Sequence, residues 1–246
     1  MRLPRGWFDL FRQLALFAGA CCGYEIVRGL VGGGGSRPFN DATRIIDLER
    51  ALHVFYEPSL EGWAEGHARW LLDVADWTYL NAHFFVTVAA LTFIYLRRND
   101  CFYFVRNTFM IAMAIALVGY ACYPTTPPWL MPQWGFSDPI RQFTGLAVGG
   151  GPSGALVNVY AAVPSMHVCF ALMVGRPMSR LVRGALPRAL WRLYPAYIAF
   201  VVVVTGNHYF TDVLLGALTA AVAHTLATRL LARARPDAWA FGGAPA

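Results

Sequence analysis

His208 and Asp212 stand four residues apart at the start of a long apolar run, and His167 opens another such run earlier in the chain. If a helix starts at about Asn207, residues at that spacing share one face, so the Asp212 carboxylate can hold the His208 imidazole. A carboxylate near hydrocarbon costs about 2.5–3.5 kcal/mol unless paired, which makes such a pair a functional-site candidate. Two histidines and an aspartate at helix mouths suit phosphoryl transfer. His208 would attack phosphorus, Asp212 would fix its tautomer and stabilise the imidazolium, and His167 would protonate the departing oxygen. Asn207 and the backbone N–H groups at the helix start are expected to help hold phosphate oxygens. Two other readings use the same residues: a histidine at a helix end is often only a polar cap, and a histidine pair can hold haem, which would leave Asp212 redundant.

These residues sit in a chain of 246 residues that is 57% hydrophobic, 15% aromatic and only 14% charged. Its mean hydropathy is +0.44. Soluble domains carry roughly 25% charge, so the composition is that of an integral membrane protein. The net charge is +6 and every Lys/Arg position is arginine, parcelled between apolar runs instead of gathered in a patch, which argues against a nucleic-acid partner. The five cysteines show no C-x-x-C spacing and fall mostly in apolar stretches, as small buried hydrophobes do.

A span needs about 20 apolar residues, and six such stretches can be drawn, at 11–30, 71–96, 101–122, 161–182, 189–206 and 208–231. The expectation is an all-α, polytopic membrane protein: one membrane domain over 1–246, with its catalytic motifs within 120–220. The first stretch is read as an uncleaved span, because the Leu of a lipoprotein cleavage site is missing before Cys21. Gly19-x-x-x-Gly23 inside it is a single small-residue motif, too little to assign an oligomeric state. The connecting segment 31–69 opens with a glycine hinge, and Asp41 through Leu52 predicts a short amphipathic helix lying at the membrane interface. The long loop 123–160 carries Pro127-Pro128-Trp129 and Gly149-Gly150-Gly151, and loops of this length are usually functional.

Fourteen of the twenty arginines fall on one alternating set of connections, which the positive-inside rule makes cytoplasmic together with the tail 232–246. His167, His208 and Asp212 then share the extracytoplasmic side of the cell membrane. His53 and His83 have no such partner in sequence and are expected to be ordinary polar caps, and His224, deep in the sixth stretch, is expected to be a packing or helix-contact residue.

Pro164-Ser165-Met166-His167 and His208-Tyr209-Phe210-Thr211-Asp212 resemble the second and third motifs of the type 2 phosphatidic acid phosphatase superfamily, Pro-Ser-x-His and His-x-x-x-Asp. Tyr123-Pro124, Pro127-Pro128-Trp129 and Gly206-Asn207-His208-Tyr209 are similar to its inositol phosphorylceramide synthase branch. The resemblance covers about 120–220. It implies a six-helix membrane fold and cofactor-free, metal-independent chemistry, with a phosphohistidine at His208, Asp212 as its orienting partner, His167 as general acid and Ser165 on the phosphate. The partners it implies are a lipid substrate and an alcohol acceptor such as inositol, with hydrolysis of phosphatidate or an isoprenoid phosphate as the alternative and a non-enzymatic lipid-binding protein as the remote one.

The superfamily's first motif, Lys, six residues, then Arg-Pro, is absent, and Val201 and Val202 stand where its third motif carries Ser-Arg. The cations that neutralise phosphate are therefore unassigned by motif. Arg141 is the first candidate, Arg44 and Arg50 follow, and Tyr123 is a further candidate contact. This departure favours the transferase-like branch over simple phosphatidate hydrolysis.

Overall fold

A computed structural model describes residues 3–30, 35–138, 143 and 159–234. Its architecture is all-α, with an isolated bridge between Thr125 and Ala161. Helix α1 spans Gly6–Leu30, α2 Arg37–Ala51 and α3 Glu57–His67. Helix α4 covers Arg69–Arg97, with a π-turn at Thr78–Ala82, and α5 covers Asn99–Cys122. Beyond the long loop come α6 at Met166–Leu181, α7 at Ala185–Val204 and α8 at Phe210–Leu231, whose last turns are π-helical.

Four of these helices, α1, α4, α5 and α8, are long and apolar enough to cross a membrane. The expected fourth span is shorter than its apolar run, because 161–165 stay outside the helix and leave 16 residues in α6. The fifth, α7, has 20 residues but carries Arg188 and Arg192 in its first half. Large apolar side chains face outward along the bundle, including Trp70, Phe85, Leu190 and Leu214. A water-soluble protein would bury them, whereas hydrocarbon is their natural surrounding.

Helix α6 is the centre of the packing and touches α4, α5, α7 and α8. Small residues let the backbones close in. A Cβ on Gly216 of α8 would stand 2.3 Å from the Ser165 carbonyl oxygen, and one on Gly119 of α5 would stand 2.8 Å from Pro164. Only glycine admits these approaches, so the sequence positions 163–165 between two helices at once.

The connecting segment differs from the expectation in one respect: it forms two helices, not one. Ile45, Ile46 and Glu49 are buried together on α2, while Leu48 and Leu52 face outward. Gly32, Gly33 and Gly34 of the hinge lie outside the described residues, as do 144–158 of the long loop, with Gly149–Gly151, and 235–246 of the tail.

Candidate active site

The site is made where the turn between α7 and α8 meets the start of α6. Helix α7 ends at Val204, and Gly206 reverses the chain at φ +62°, a left-handed conformation that glycine adopts without strain. The N–H groups of Gly206, Asn207 and His208 return to the carbonyls of Val203, Val202 and Val202 at 3.0, 3.1 and 3.0 Å. Helix α8 then starts at Phe210, three residues later than the spacing argument placed it. His208 therefore precedes the helix and Asp212 is its third residue. The pair still meets, at 3.2 Å between Nδ1 and Oδ2, because Asp212 also accepts the Tyr209 N–H at 3.1 Å in a capping box. Nδ1 faces Asp212, so Nε2 is the nitrogen left to attack.

His167 comes from the first turn of α6, and its ring centroid lies 5.9 Å from that of His208. Ser165 is the N-cap of α6. An N-cap serine ordinarily spends its hydroxyl on the helix's own N–H groups; here that oxygen makes no such bond and is buried without a partner. It is free to receive a substrate oxygen.

Other expected contacts are placed elsewhere. The Asn207 amide donates to the carbonyl and hydroxyl of Thr205 at 3.0 and 2.8 Å, which locks the turn. The first N–H groups of α8, expected to cradle phosphate, are occupied by carboxylates: Phe210 donates to Glu57 at 2.9 Å and Thr211 to Glu49 at 2.7 Å. Tyr123 donates its hydroxyl to the Asp41 carbonyl at 3.1 Å, and burial followed by the Asp41 charge raises its pKa. Arg44 pairs with Asp41 at 2.9 Å, and Arg50 lies over the Trp134 ring at 5.3 Å. Arg141 lies outside the described residues.

The structure adds residues that the sequence did not single out. Glu49, Glu57 and Glu61 are buried carboxylates on α2 and α3 that hold the His208 loop from outside; Glu61 sits over Gly206 and accepts from Ser137. Their sign in the sequence was an acid one helical turn from a buried partner, Ile45 before Glu49 and Glu57 before Glu61. Burial first, then a hydrogen bond and repulsion from Glu49, push the Glu57 carboxyl up to about 8, while burial pushes Glu61 up to about 7.

Tyr79 in the π-turn stacks on His167 at 4.4 Å, and His83, expected to be only a polar cap, lies 5.1 Å from the same ring. π-turns of this kind recur at functional sites. Arg28, counted only as an outer-side arginine, lies one turn after Tyr24 on α1. The Tyr24 hydroxyl donates to Tyr120 at 3.0 Å, and Tyr120 to the Pro164 carbonyl at 3.3 Å. Arg28 pairs with Glu25 at 3.2 Å, and its charge also acts on Tyr79, Tyr120 and His167. Beside the site, α2, α5 and α8 enclose an apolar groove of about 510 Å³ that ends at Pro164 and Thr211, the neighbours of Ser165 and Asp212. Among the described residues, no group of three or more His, Cys, Asp or Glu side chains is arranged to hold a metal ion.

The profile of the PAP2 superfamily matches residues 43–226, three-quarters of the chain, including the His167 and His208 motifs. The chain belongs to the PAP2 superfamily. One relative in this superfamily context, the phosphoinositol dihydroceramide synthase of Bacteroides thetaiotaomicron, is 28% identical over 127 residues. That match takes in 44% of this chain and 39% of the relative's length. No solved structure is significantly similar to the chain. Membership makes this a membrane enzyme family acting on lipid phosphate, and with a carboxylate bound to His208 it favours phosphoryl chemistry over haem ligation.

Proposed function

We propose that this PAP2-superfamily protein transfers a phosphate-bearing headgroup from a membrane lipid to an alcohol through a covalent bond to His208. The observation that carries the reading is the His208–Asp212 contact with His167 beside it at two joined helix starts. In the first half-reaction His208 Nε2 bonds to phosphorus as the P–O bond to the lipid breaks, and His167 gives its proton to the departing oxygen. Asp212 stabilises the positive charge that grows on His208. In the second, an alcohol attacks phosphorus, His167 takes its proton back and His208 is released. Neither step requires a metal.

Arg28 and Ser165 bind the phosphate oxygens in this reading, and Arg141 remains a second cation. The groove beside Pro164 and Thr211 suits the lipid's hydrocarbon chain. In this reading the chain crosses the membrane six times, α6 and α7 included, with the site on the extracytoplasmic face of the cell membrane, an orientation that the arginine distribution supports. The relative's name speaks of phosphoinositol joined to dihydroceramide. It supports a phosphoinositol headgroup or free inositol as what is transferred or accepted, over water.

The test is turnover by the purified protein in EDTA, on phosphatidylinositol, phosphatidate and isoprenoid phosphates, with inositol or a ceramide as acceptor, beside His208→Ala. A new headgroup-bearing lipid, absent with the variant, supports transfer. Free phosphate alone, also lost in the variant, would make the protein a lipid phosphatase. Full activity of His208→Ala would refute the phosphohistidine.

A further inference from the structure

The two catalytic histidines are followed by a third. His83 lies just past the π-turn of α4, with 6% of its surface exposed. Its Nδ1 is 2.9 Å from the Tyr194 hydroxyl of α7, while its Nε2 is buried with no hydrogen-bond partner. The nearest imidazole is that of His167, 5.1 Å away between centroids and tilted by 45°. The rings thus run in file from His208 through His167 to His83 and end on Tyr194.

A ring nitrogen buried without a partner is costly, and a position deep in the bundle offers no bulk water to relieve it. Catalytic hydrogen bonds are often long in unliganded enzymes and tighten when substrate binds. A small turn of the two rings edge to edge would join the orphaned Nε2 to His167. Tyr79, stacked on the face of His167, leaves such in-plane turning open.

We propose that His83 is the positioning residue of the general acid, accepting at Nε2 a hydrogen bond from one N–H of His167 so that the other N–H points at the departing oxygen. The inference rests on the phosphohistidine reading above. The Tyr194 hydroxyl, accepting from Nδ1–H, selects the tautomer that leaves Nε2 as the acceptor. No net proton moves to His83: the His167 proton passes to the leaving oxygen as that P–O bond breaks and His208–P forms.

The difference between the two supports is chemical. Asp212 is an anion, which stabilises the cation formed on His208. A neutral imidazole behind His167 aligns the ring without the pull a carboxylate would exert on its proton, so the proton can leave. The titratable groups around this pair are Tyr79 from α4, Arg28 from α1, Tyr194 from α7 and His208 before α8.

The test uses the leaving group. The full-length protein is given phosphatidylinositol or phosphatidate, whichever the wild type turns over, and the 4-nitrophenyl ester of the same phosphoryl group. An alkoxide needs a proton to depart and nitrophenolate does not. His83→Leu should lower kcat on the lipid about 10- to 100-fold, at a KM within about twofold, and spare the nitrophenyl ester. His83→Gln, whose side-chain carbonyl oxygen can accept in place of Nε2, should recover most of the loss, and the pH profile of kcat should move in the leucine variant alone. An equal loss on both esters, with a lower unfolding temperature, would reduce His83 to packing, and unchanged kcat on the lipid would remove its role. If neither ester labels His208 in the wild type, the phosphohistidine reading itself fails, and this inference with it.

Discussion

The backbone N–H of Ser165 donates to the carbonyl oxygen of Asp212 at 3.1 Å. This bond ties the start of α6 to the start of α8, so His167 and His208, the proposed general acid and nucleophile, are set by one junction and not by two independent loops. Transfer rates fall steeply when reacting groups shift by an ångström, so under the proposed mechanism the junction itself would govern turnover.

Gly216 keeps that junction closed. Gly216→Ala places a Cβ where the Ser165 carbonyl now stands, at 2.3 Å. Overpacking of this sort costs about 1–3 kcal/mol, and here it also displaces Ser165 and Asp212. Thermal unfolding in detergent should drop and turnover should fall further than stability alone explains; wild-type turnover would mean the helices separate freely.

Ser165→Ala separates structure from chemistry. The Ser165 hydroxyl makes no internal hydrogen bond, so its removal should leave the unfolding temperature unchanged. If it receives a phosphate oxygen, the variant should lose about 1.5–3 kcal/mol of transition-state binding, the strength of a hydrogen bond to a charged group. Steady-state kinetics beside a melting curve checks both halves.

Asp212→Asn retains the shape of the side chain but removes its charge and can favour the wrong His208 tautomer. The kcat should fall on the order of 10³-fold or more, as for other carboxylate–histidine pairs, with the covalent His208 adduct formed correspondingly slowly in a rapid-quench experiment. A loss under tenfold would mean that Asp212 only caps α8.

Arg28→Ala should raise KM and lower kcat together, because a phosphate clamp binds both ground and transition states. Arg28→Lys should restore part of the loss, since an ammonium supplies charge without the bidentate fork. Arg141→Ala, measured alongside, identifies which cation carries the phosphate: an effect at Arg141 alone would return the role to the long loop.

Glu57 gives a pH dependence of known sign. Its carboxyl is raised from 4.5 to about 8 in the folded protein, so the folded state binds more protons than the unfolded one between those values. Stability is then highest below about 4.5 and declines as pH rises toward 8. The unfolding temperature should fall over that window, and Glu57→Gln should flatten the decline, since the amide cannot ionise. An identical slope in the variant would shift the effect to Glu61, raised to about 7 by burial.

The sequence by itself determined the class of fold and supplied the residues on which the proposed chemistry rests. His167, His208 and Asp212 are recognisable because ionisable groups are rare in apolar runs, and low charge with long hydrophobic stretches already requires helices whose backbone bonds are satisfied internally. What only the tertiary structure decided are contacts between residues far apart in the chain, where no local pattern applies. His83 meets His167 through a π-turn that no spacing rule announces. Arg28 reaches the site because α1 packs on α5, and Glu49 caps α8 from a helix 162 residues away. A helix start looks like an anion site from its sequence alone; whether a substrate or the protein's own carboxylates fill it depends on which side chains the fold brings there.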